Sequence, residues 1–395
     1  MQTILSKIFY LIKKTPLYLI IDLGTTNIKG ALVDENLKIK HLVNFKNKTF
    51  STQKSFVEQN PTEWFFKVKE ILEKLTKQGN IKAIGITGQR ETLVAWDKNT
   101  GMAIEPAIIW FDKRTKKIAD SLKNELDIKQ LNKKTGLFWH YKYPLFKIIW
   151  LLKNSSQLNA LISKKRIAFG PPTSYLLYNF SLERKNLIDN TQASRTMLYN
   201  LKTNKWDKKI LETFKIPLDS LPQIKPNYYL YGHYKNNGKK IPILSMIGDQ
   251  EAALISHSFK RGVTKLTLGT GLFLEKNLGN KIKFSPYFET SVALFINKPF
   301  YMYESRFSIN GKQLFKAIKN NNKKILKIFK KELDKYLFLI SSKKIYVDGG
   351  LVKNDQYGEK TKEFLQKIFY NFIFEKQNEG TILGVAKILN KFNKN

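Results

Sequence analysis

The sequence predicts an α/β protein of two similar domains flanking a central cleft, and three observations carry that expectation. At 395 residues the chain is longer than one hydrophobic core usually serves. Apolar runs of strand length alternate with amphipathic runs of helix length over most of it. The order strand, glycine-threonine turn, strand occurs near Gly24 and again near Gly269, as an internal duplication of one unit would read.

Composition narrows the class. With 42% hydrophobic and 13% aromatic residues the chain can bury real cores, and no run of 18 apolar residues predicts a membrane span. The opening ILSKIFYLIKK is basic, interrupted by Lys7 and too short for a signal peptide, so residues 1–16 read as an N-terminal extension. The absence of cysteine excludes disulfides, thiolate zinc sites and cysteine nucleophiles. His41, His140, His233 and His257 lack metal-site spacing, and a cytoplasmic protein without a tightly held transition metal is expected. A net charge of +37 raises a nucleic-acid surface as one reading. The lysines, however, run the whole length alongside abundant Asn, Ile, Phe and Tyr, so diffuse compositional bias is the preferred reading and nucleic acid is not the expected partner.

Taken in order, residues 17–22 (LYLIID) form a buried strand, Gly24-Thr25-Thr26 a turn, and residues 28–33 the returning strand. A glycine with two hydroxyl residues sets N–H and O–H donors around one point, which suits a phosphate chain. Asp22 beside them can hold Mg²⁺ through water. Thr62 is the expected N-cap of a helix over residues 64–75, and residues 81–87 are another strand. Arg90 and Glu91 follow, offering a donor fork beside an acceptor, the combination a polyol needs; a solvated surface ion pair is the other reading. Trp110 ends the apolar run AIIW, either as core or laid against a carbon backbone. Trp139, Tyr141, Tyr143 and Trp150 make an aromatic-rich lip, and residues 222–238, rich in Pro, Asn and Gly, lead into the next unit.

Residues 243–273 organise the rest. An apolar strand ends at Gly248, Asp249 sits at its exit facing a cleft, and a small-residue helix covers 251–257. A second strand, 263–268, ends in Gly269-Thr270-Gly271, whose N–H groups can close around a phosphate. Taken singly, both motifs also read as ordinary turns. Residues 311–334 are strongly helical, 343–347 a strand, Asp348-Gly349-Gly350 a third glycine turn and 381–390 a last helix. The domains are placed at 17–256 and 257–395.

The motifs DLGTTNIK, GITGQRET, AIIWFDKRT, DNTQASRTMLYN, IGDQEAAL, LGTGLF and VDGGLVKN, in that order, resemble the FGGY carbohydrate kinases of the actin-like ATPase superfamily, most closely their glycerol kinase branch. The resemblance implies two ribonuclease-H-like domains, with the polyol on the first, ATP on the second and Mg²⁺ as cofactor. By motif position, Thr25, Thr26, Asn27 and Lys29 would meet the phosphates, and Thr270, Gly311, Gly350 and Asn354 would line the nucleotide site. Arg90, Glu91, Trp110, Asp249, Gln250 and Phe273 would hold glycerol, and Asp249 would be the base. The implied activity is ATP-dependent phosphorylation of glycerol to glycerol 3-phosphate. A kinase for another small sugar or polyol, and an actin-like fold that binds nucleotide without catalysis, are the alternatives; a homo-oligomer is left open. Three departures stand out. Lys142 occupies the place of a family tyrosine, with Tyr141 and Tyr143 flanking it as substitutes. Phe315 occupies that of a nucleotide-contacting glutamine. A long segment between the helix after Gly311 and the third glycine turn is nearly absent, which trims the second domain.

Overall fold

The computed structural model describes residues 16–353, 357–369, 371–374 and 379–393. Nearly all of the expected N-terminal extension, and Asn354, lie outside the described residues.

Two six-stranded sheets organise the chain. In the first, β1 (Pro16–Leu23), β2 (Asn27–Asp34) and β3 (Ile39–Lys46) form an antiparallel meander, and β4 (Asn80–Gly88) lies parallel to β1 on its other side. The hairpin of β5 (Tyr228–Asn236) and β6 (Lys239–Gly248) completes the sheet, with β6 parallel to β4. The turn-rich stretch around residue 230 is therefore an edge strand of this sheet and not a connector. β1 is apolar on both faces because both are covered. One face is covered by α1 (Pro61–Leu75), which buries Trp64, Val68, Ile71, Leu72 and Leu75. Its N-cap is Asn60, two residues before the expected Thr62: Asn60 accepts from the Thr62 N–H, and Pro61 fits the first helical position, where no N–H is needed. Between β4 and β5 a mostly helical excursion builds a separate apolar cluster, with α2 (Pro144–Asn154) contributing Leu145, Phe146 and Ile148.

The second sheet repeats the plan. β7 (Thr264–Leu268) pairs antiparallel with β8 (Leu272–Gly279), while β9 (Glu289–Phe295) and β10 (Pro299–Arg306) extend that side. On the other side, β11 (Ile345–Asp348) and β12 (Phe372–Phe374) lie parallel to β7. Each sheet thus has a central strand with an antiparallel meander on one side, two strands in the first sheet and three in the second, and two parallel strands on the other, where β5 adds an antiparallel edge to the first sheet. The two glycine-threonine turns, β1 to β2 and β7 to β8, occupy equivalent places, which is the duplication expected from the sequence.

Four helices complete the frame: α3 (Asp249–His257), α4 (Gly311–Lys319), α5 (Lys323–Ile340) and α6 (Gly380–Phe392). The single helix expected over 311–334 is two. Asn320 ends α4, and Asn322 caps α5 by accepting from the Ile325 N–H. Although α6 follows the second sheet in sequence, it packs on the first: Ile382, Val385, Ala386 and Leu389 join Tyr18, Ile20 and Ala83 in one buried cluster. It crosses α3 closely enough that a Cβ on Gly384 would sit 1.8 Å from the Ala252 carbonyl oxygen, so only glycine fits there.

Candidate active site

The cleft between the sheets holds about 710 Å³ of atom-free space, part of it open to solvent. Thr25, Thr26, Gln89, Arg90, Glu91 and Trp110 line one side. Asp249 and Gln250 enter from α3, and Thr267, Gly269, Thr270, Gly271 and Phe273 close the other side. Residues expected to serve a phosphate chain and residues expected to serve a polyol therefore share one space.

Asp249 is the first residue of α3, where the helix dipole favours a carboxylate. Its Oδ1 accepts from the Gln250 N–H at 2.8 Å and lies 3.5 Å from Arg90 Nε. Burial pushes its carboxyl up to about 6, opposed by Arg90 and reinforced by the charge of Asp22. Near neutrality it is ionised yet basic enough to accept a proton. Gln250 Oε1 is taken by Lys265 Nζ at 3.0 Å, which leaves its amide nitrogen as the end available to a ligand.

Asp22, at the end of β1, is buried. Its Oδ2 accepts from Thr381 Oγ1 of α6 at 2.8 Å, while Oδ1 is buried without a partner. Burial raises its pKa, against the Thr381 hydrogen bond and Lys29. A buried carboxylate oxygen with no donor, electrostatically coupled to a second carboxylate at Asp249, is a donor set that fits a hard divalent cation such as Mg²⁺. Lys29 is less free than expected: its Nζ pairs with Glu379 at 2.7 Å, just before α6. The Asn27 Oδ1 is also buried without a partner.

Arg90 and Glu91 follow β4 directly and are both buried, which excludes the solvated surface pair. Arg90 donates to Glu251 at 2.8 Å and Glu304 at 2.6 Å. Glu91 has φ 65°, a left-handed conformation that costs a non-glycine residue energy and tends to persist at functional sites. Its Oε1 takes Arg195 Nη2 at 2.5 Å and Lys142 Nζ at 3.1 Å, and Arg306 approaches Oε2 at 3.8 Å. Burial works to raise the Glu91 pKa, but these cations hold it well below the ordinary carboxylate range. Trp110 is half-buried at the cleft edge. Its indole N–H donates to Thr25 Oγ1 at 3.0 Å, tying the polyol side to the first turn, and its ring meets Phe273 edge-on with centroids 6.4 Å apart.

Not every expected residue lies here. Tyr143 is fully buried, its hydroxyl donating to the Glu289 carboxylate, and Tyr141 stacks on His140 at 4.2 Å. Neither lines the cleft. Gly311 stands behind the second turn, its N–H donating to the Thr270 carbonyl at 3.2 Å, and a Cβ there would meet the Gly269 oxygen at 1.7 Å. Gly350 is exposed at the start of a short helix, beyond the cleft lining.

Other residues were not named from the sequence, although Gln89 and Arg195 lie inside the motifs GITGQRET and DNTQASRTMLYN. Asn47 Nδ2 donates to the Gly24 carbonyl at 2.8 Å and Gln59 Nε2 to the Thr25 carbonyl at 2.7 Å, while Gln89 Nε2 donates to Gln59 Oε1 at 2.7 Å. This buried amide network fixes the first turn. Arg195 is another: its Nη2 reaches Glu91, Glu289 at 3.0 Å and Glu304 at 2.8 Å, joining the excursion to β9 and β10.

The family model for the FGGY family of carbohydrate kinases, N-terminal domain, matches residues 17–256. The chain belongs to the FGGY family. Among curated relatives, a glycerol kinase of Thermoanaerobacter sp. (strain X514) is 39% identical over 268 residues, 66% of this chain and 54% of that protein. One of Saccharolobus islandicus (strain M.14.25 / Kamchatka #1) is 37% identical over 300 residues, 74% of this chain and 60% of that protein. The chain thus matches between 54% and 60% of the length of these relatives. In structure, the FGGY chain is similar to the Plasmodium falciparum glycerol kinase crystallised with ADP, with TM-score 0.86, 25% identity, and coverage of 96% of this chain and 90% of that one. The actin-like two-domain fold therefore accounts for the paired sheets.

Against that background the FGGY chain's Lys142 acquires a physical description. It is buried beside Glu91 and Glu289, and burial, then Arg306, pushes its ammonium down to about 8. Phe315, on α4, packs edge-on against Tyr357 with centroids 5.2 Å apart.

Proposed function

We propose that the chain is an ATP-dependent polyol kinase that phosphorylates glycerol, with Asp249 as general base. The observation that carries this reading is Asp249 itself. An ionisable, partly buried carboxylate stands in one cleft with Arg90, Glu91, Trp110, Gln250 and Phe273 on the polyol side and the Gly269-Thr270-Gly271 turn on the other.

In this mechanism the polyol hydroxyls are oriented by Glu91 as acceptor and by Arg90 and the Gln250 amide as donors, with Trp110 and Phe273 against its carbons. Gln250 N–H and Arg90 act on Asp249 Oδ1, which leaves Oδ2 to take the proton of the attacking hydroxyl. The new bond forms between that oxygen and the γ-phosphorus, the bond from phosphorus to the β–γ bridging oxygen breaks, and ADP leaves. Asp22 would hold Mg²⁺, which when bound neutralises phosphate charge. The N–H groups of both glycine-threonine turns would cradle the phosphates.

The direct test is ADP release with ATP and Mg²⁺, with and without glycerol. Glycerol-dependent ADP matched by glycerol 3-phosphate is expected. If glycerol has no effect, a sugar and polyol panel decides the second reading, a kinase for another small polyol. That reading is favoured by one observation, the extra cation Lys142 on Glu91. Binding of ATP with silence across the panel would instead mark a non-catalytic nucleotide binder.

The nucleotide side gives a separate prediction. Because a Cβ at Gly311 collides with the Gly269 carbonyl, Gly311→Ala is expected to displace the second turn and weaken ADP binding at least about tenfold, with polyol binding kept. Calorimetric titration of ADP and of glycerol separates the two; equal loss of both would point to general misfolding.

A further inference from the structure

Lys147, in the first turns of α2, is fully buried, and among the described residues its ammonium forms no ion pair. It donates instead to two backbone carbonyls, that of Glu91 at 2.5 Å and that of Ile109 at 3.0 Å. Lysine is seldom fully buried unless paired, and a cation near a helix N-terminus also opposes the helix dipole. Burial accordingly pushes this ammonium down to about 7, against the pull of Glu91 and Asp112. A group placed at such a cost for the core alone would be better replaced by an apolar side chain.

The two carbonyls say what the lysine does. Glu91 is the left-handed residue of the cleft, and Ile109 is the buried residue immediately before Trp110. The two segments come from different parts of the chain, one from the end of β4 and one beyond it, and both present side chains to the same cleft. We infer that Lys147 is a positioning residue that fixes the spacing of these two segments by bridging the carbonyls of Glu91 and Ile109. Its three donors serve two acceptors at once, which a hydroxyl or an apolar residue cannot do. It satisfies the buried carbonyl at the strained residue and so holds that conformation in place. The two segments also pair directly, Leu93 and Ile108 exchanging backbone hydrogen bonds at 3.0 Å each way, and Trp110 is fastened to Thr25; the lysine adds the tie between that pair and the cleft, at the carbonyl of the strained residue.

This inference rests on reading the cleft as a polyol site, and the experiment keeps the two apart. Hydrogen exchange of the ligand-free full chain is compared for wild type, Lys147→Met and Lys147→Gln, together with dissociation constants for glycerol and ADP. In Lys147→Met, amides around residues 90–93 and 109–112 are expected to exchange at least about tenfold faster while those of β1 and β4 stay within about twofold. Glycerol binding is expected to weaken about tenfold with ADP binding unchanged, and Lys147→Gln, with one short amide donor group, should fall between. Unchanged local exchange overturns the inference. So does acceleration spread evenly through the first sheet, or failure of both variants to fold, each of which marks a core role only. If wild type ignores glycerol, the polyol reading fails, and the exchange result still decides the bridge.

Discussion

Asp249→Asn is expected to lower kcat about 10²- to 10⁴-fold, the usual weight of a positioned base, while the ADP dissociation constant stays within about twofold. A second readout moves the other way. The Asp249 carboxyl is raised to about 6 by burial, against its ordinary 3.8. A carboxyl raised on folding contributes stability that is complete below its unfolded value and is lost as pH rises through the folded one. At pH 7.5 the fold therefore bears a cost of about 3 kcal/mol for ionising it. The asparagine variant removes that cost and is expected to melt a few degrees higher than wild type at pH 7.5, the gain vanishing near pH 4. In wild type the same group should make kcat/KM fall tenfold per pH unit below about 6. Near-normal turnover in the variant would eliminate Asp249 as the base, whatever its melting temperature.

The largest loss of stability is expected from Arg195→Leu. Arg195 is completely buried, and its removal leaves Glu91, Glu289 and Glu304 short of a cation. Breaking a buried ionic network from one side costs about 3–5 kcal/mol. The sign of the pH dependence follows from Glu289. Burial works to raise its carboxyl, but Lys142 and Arg195 hold it at about 2 against an ordinary 4.5. A carboxyl lowered on folding contributes stability that is present above its unfolded value and is lost as pH falls through the folded one. The gap between wild type and variant should therefore be widest near neutrality and shrink from about pH 4.5 down towards 2. Urea unfolding across that range measures it; a gap under about 1 kcal/mol at pH 7 would mean that Lys142 and Arg306 suffice without Arg195.

Much of this was legible beforehand because it rests on short-range rules. The runs LYLIID and ILSMIG are apolar on both faces, so they read as covered strands, and the repeated glycine-threonine turn announced the duplicated sheet. Gly248-Asp249 and Arg90-Glu91 stand at strand exits, where local sequence says what a side chain is near. The residues that escaped are those whose meaning lies in distant partners. Tyr141 and Tyr143 read as candidate contacts, and only the fold shows that Glu289, on an edge strand of the other sheet, holds the Tyr143 hydroxyl while Tyr141 stacks on His140. Asn47 and Gln59 are ordinary surface residues by composition and become buried amides because Gly24 and Thr25 present carbonyls to them. Lys29 is similar: nothing near it in sequence foretells Glu379.

The placement of α6 bears on the order in which the molecule can be made. Tyr18, Ile20 and Ala83 leave the ribosome long before Ile382, Val385 and Leu389, yet these residues share one buried cluster. Until α6 emerges, one face of the first sheet has only α3 and its neighbours for cover, and the Asp22 carboxylate lacks its Thr381 donor. The first sheet therefore cannot reach its native state before α6 is made. It must wait, exposed to chaperones and to aggregation, through translation of the whole second sheet. Supplied in trans, a peptide spanning residues 379–393 should protect the first sheet of a chain ending at residue 374.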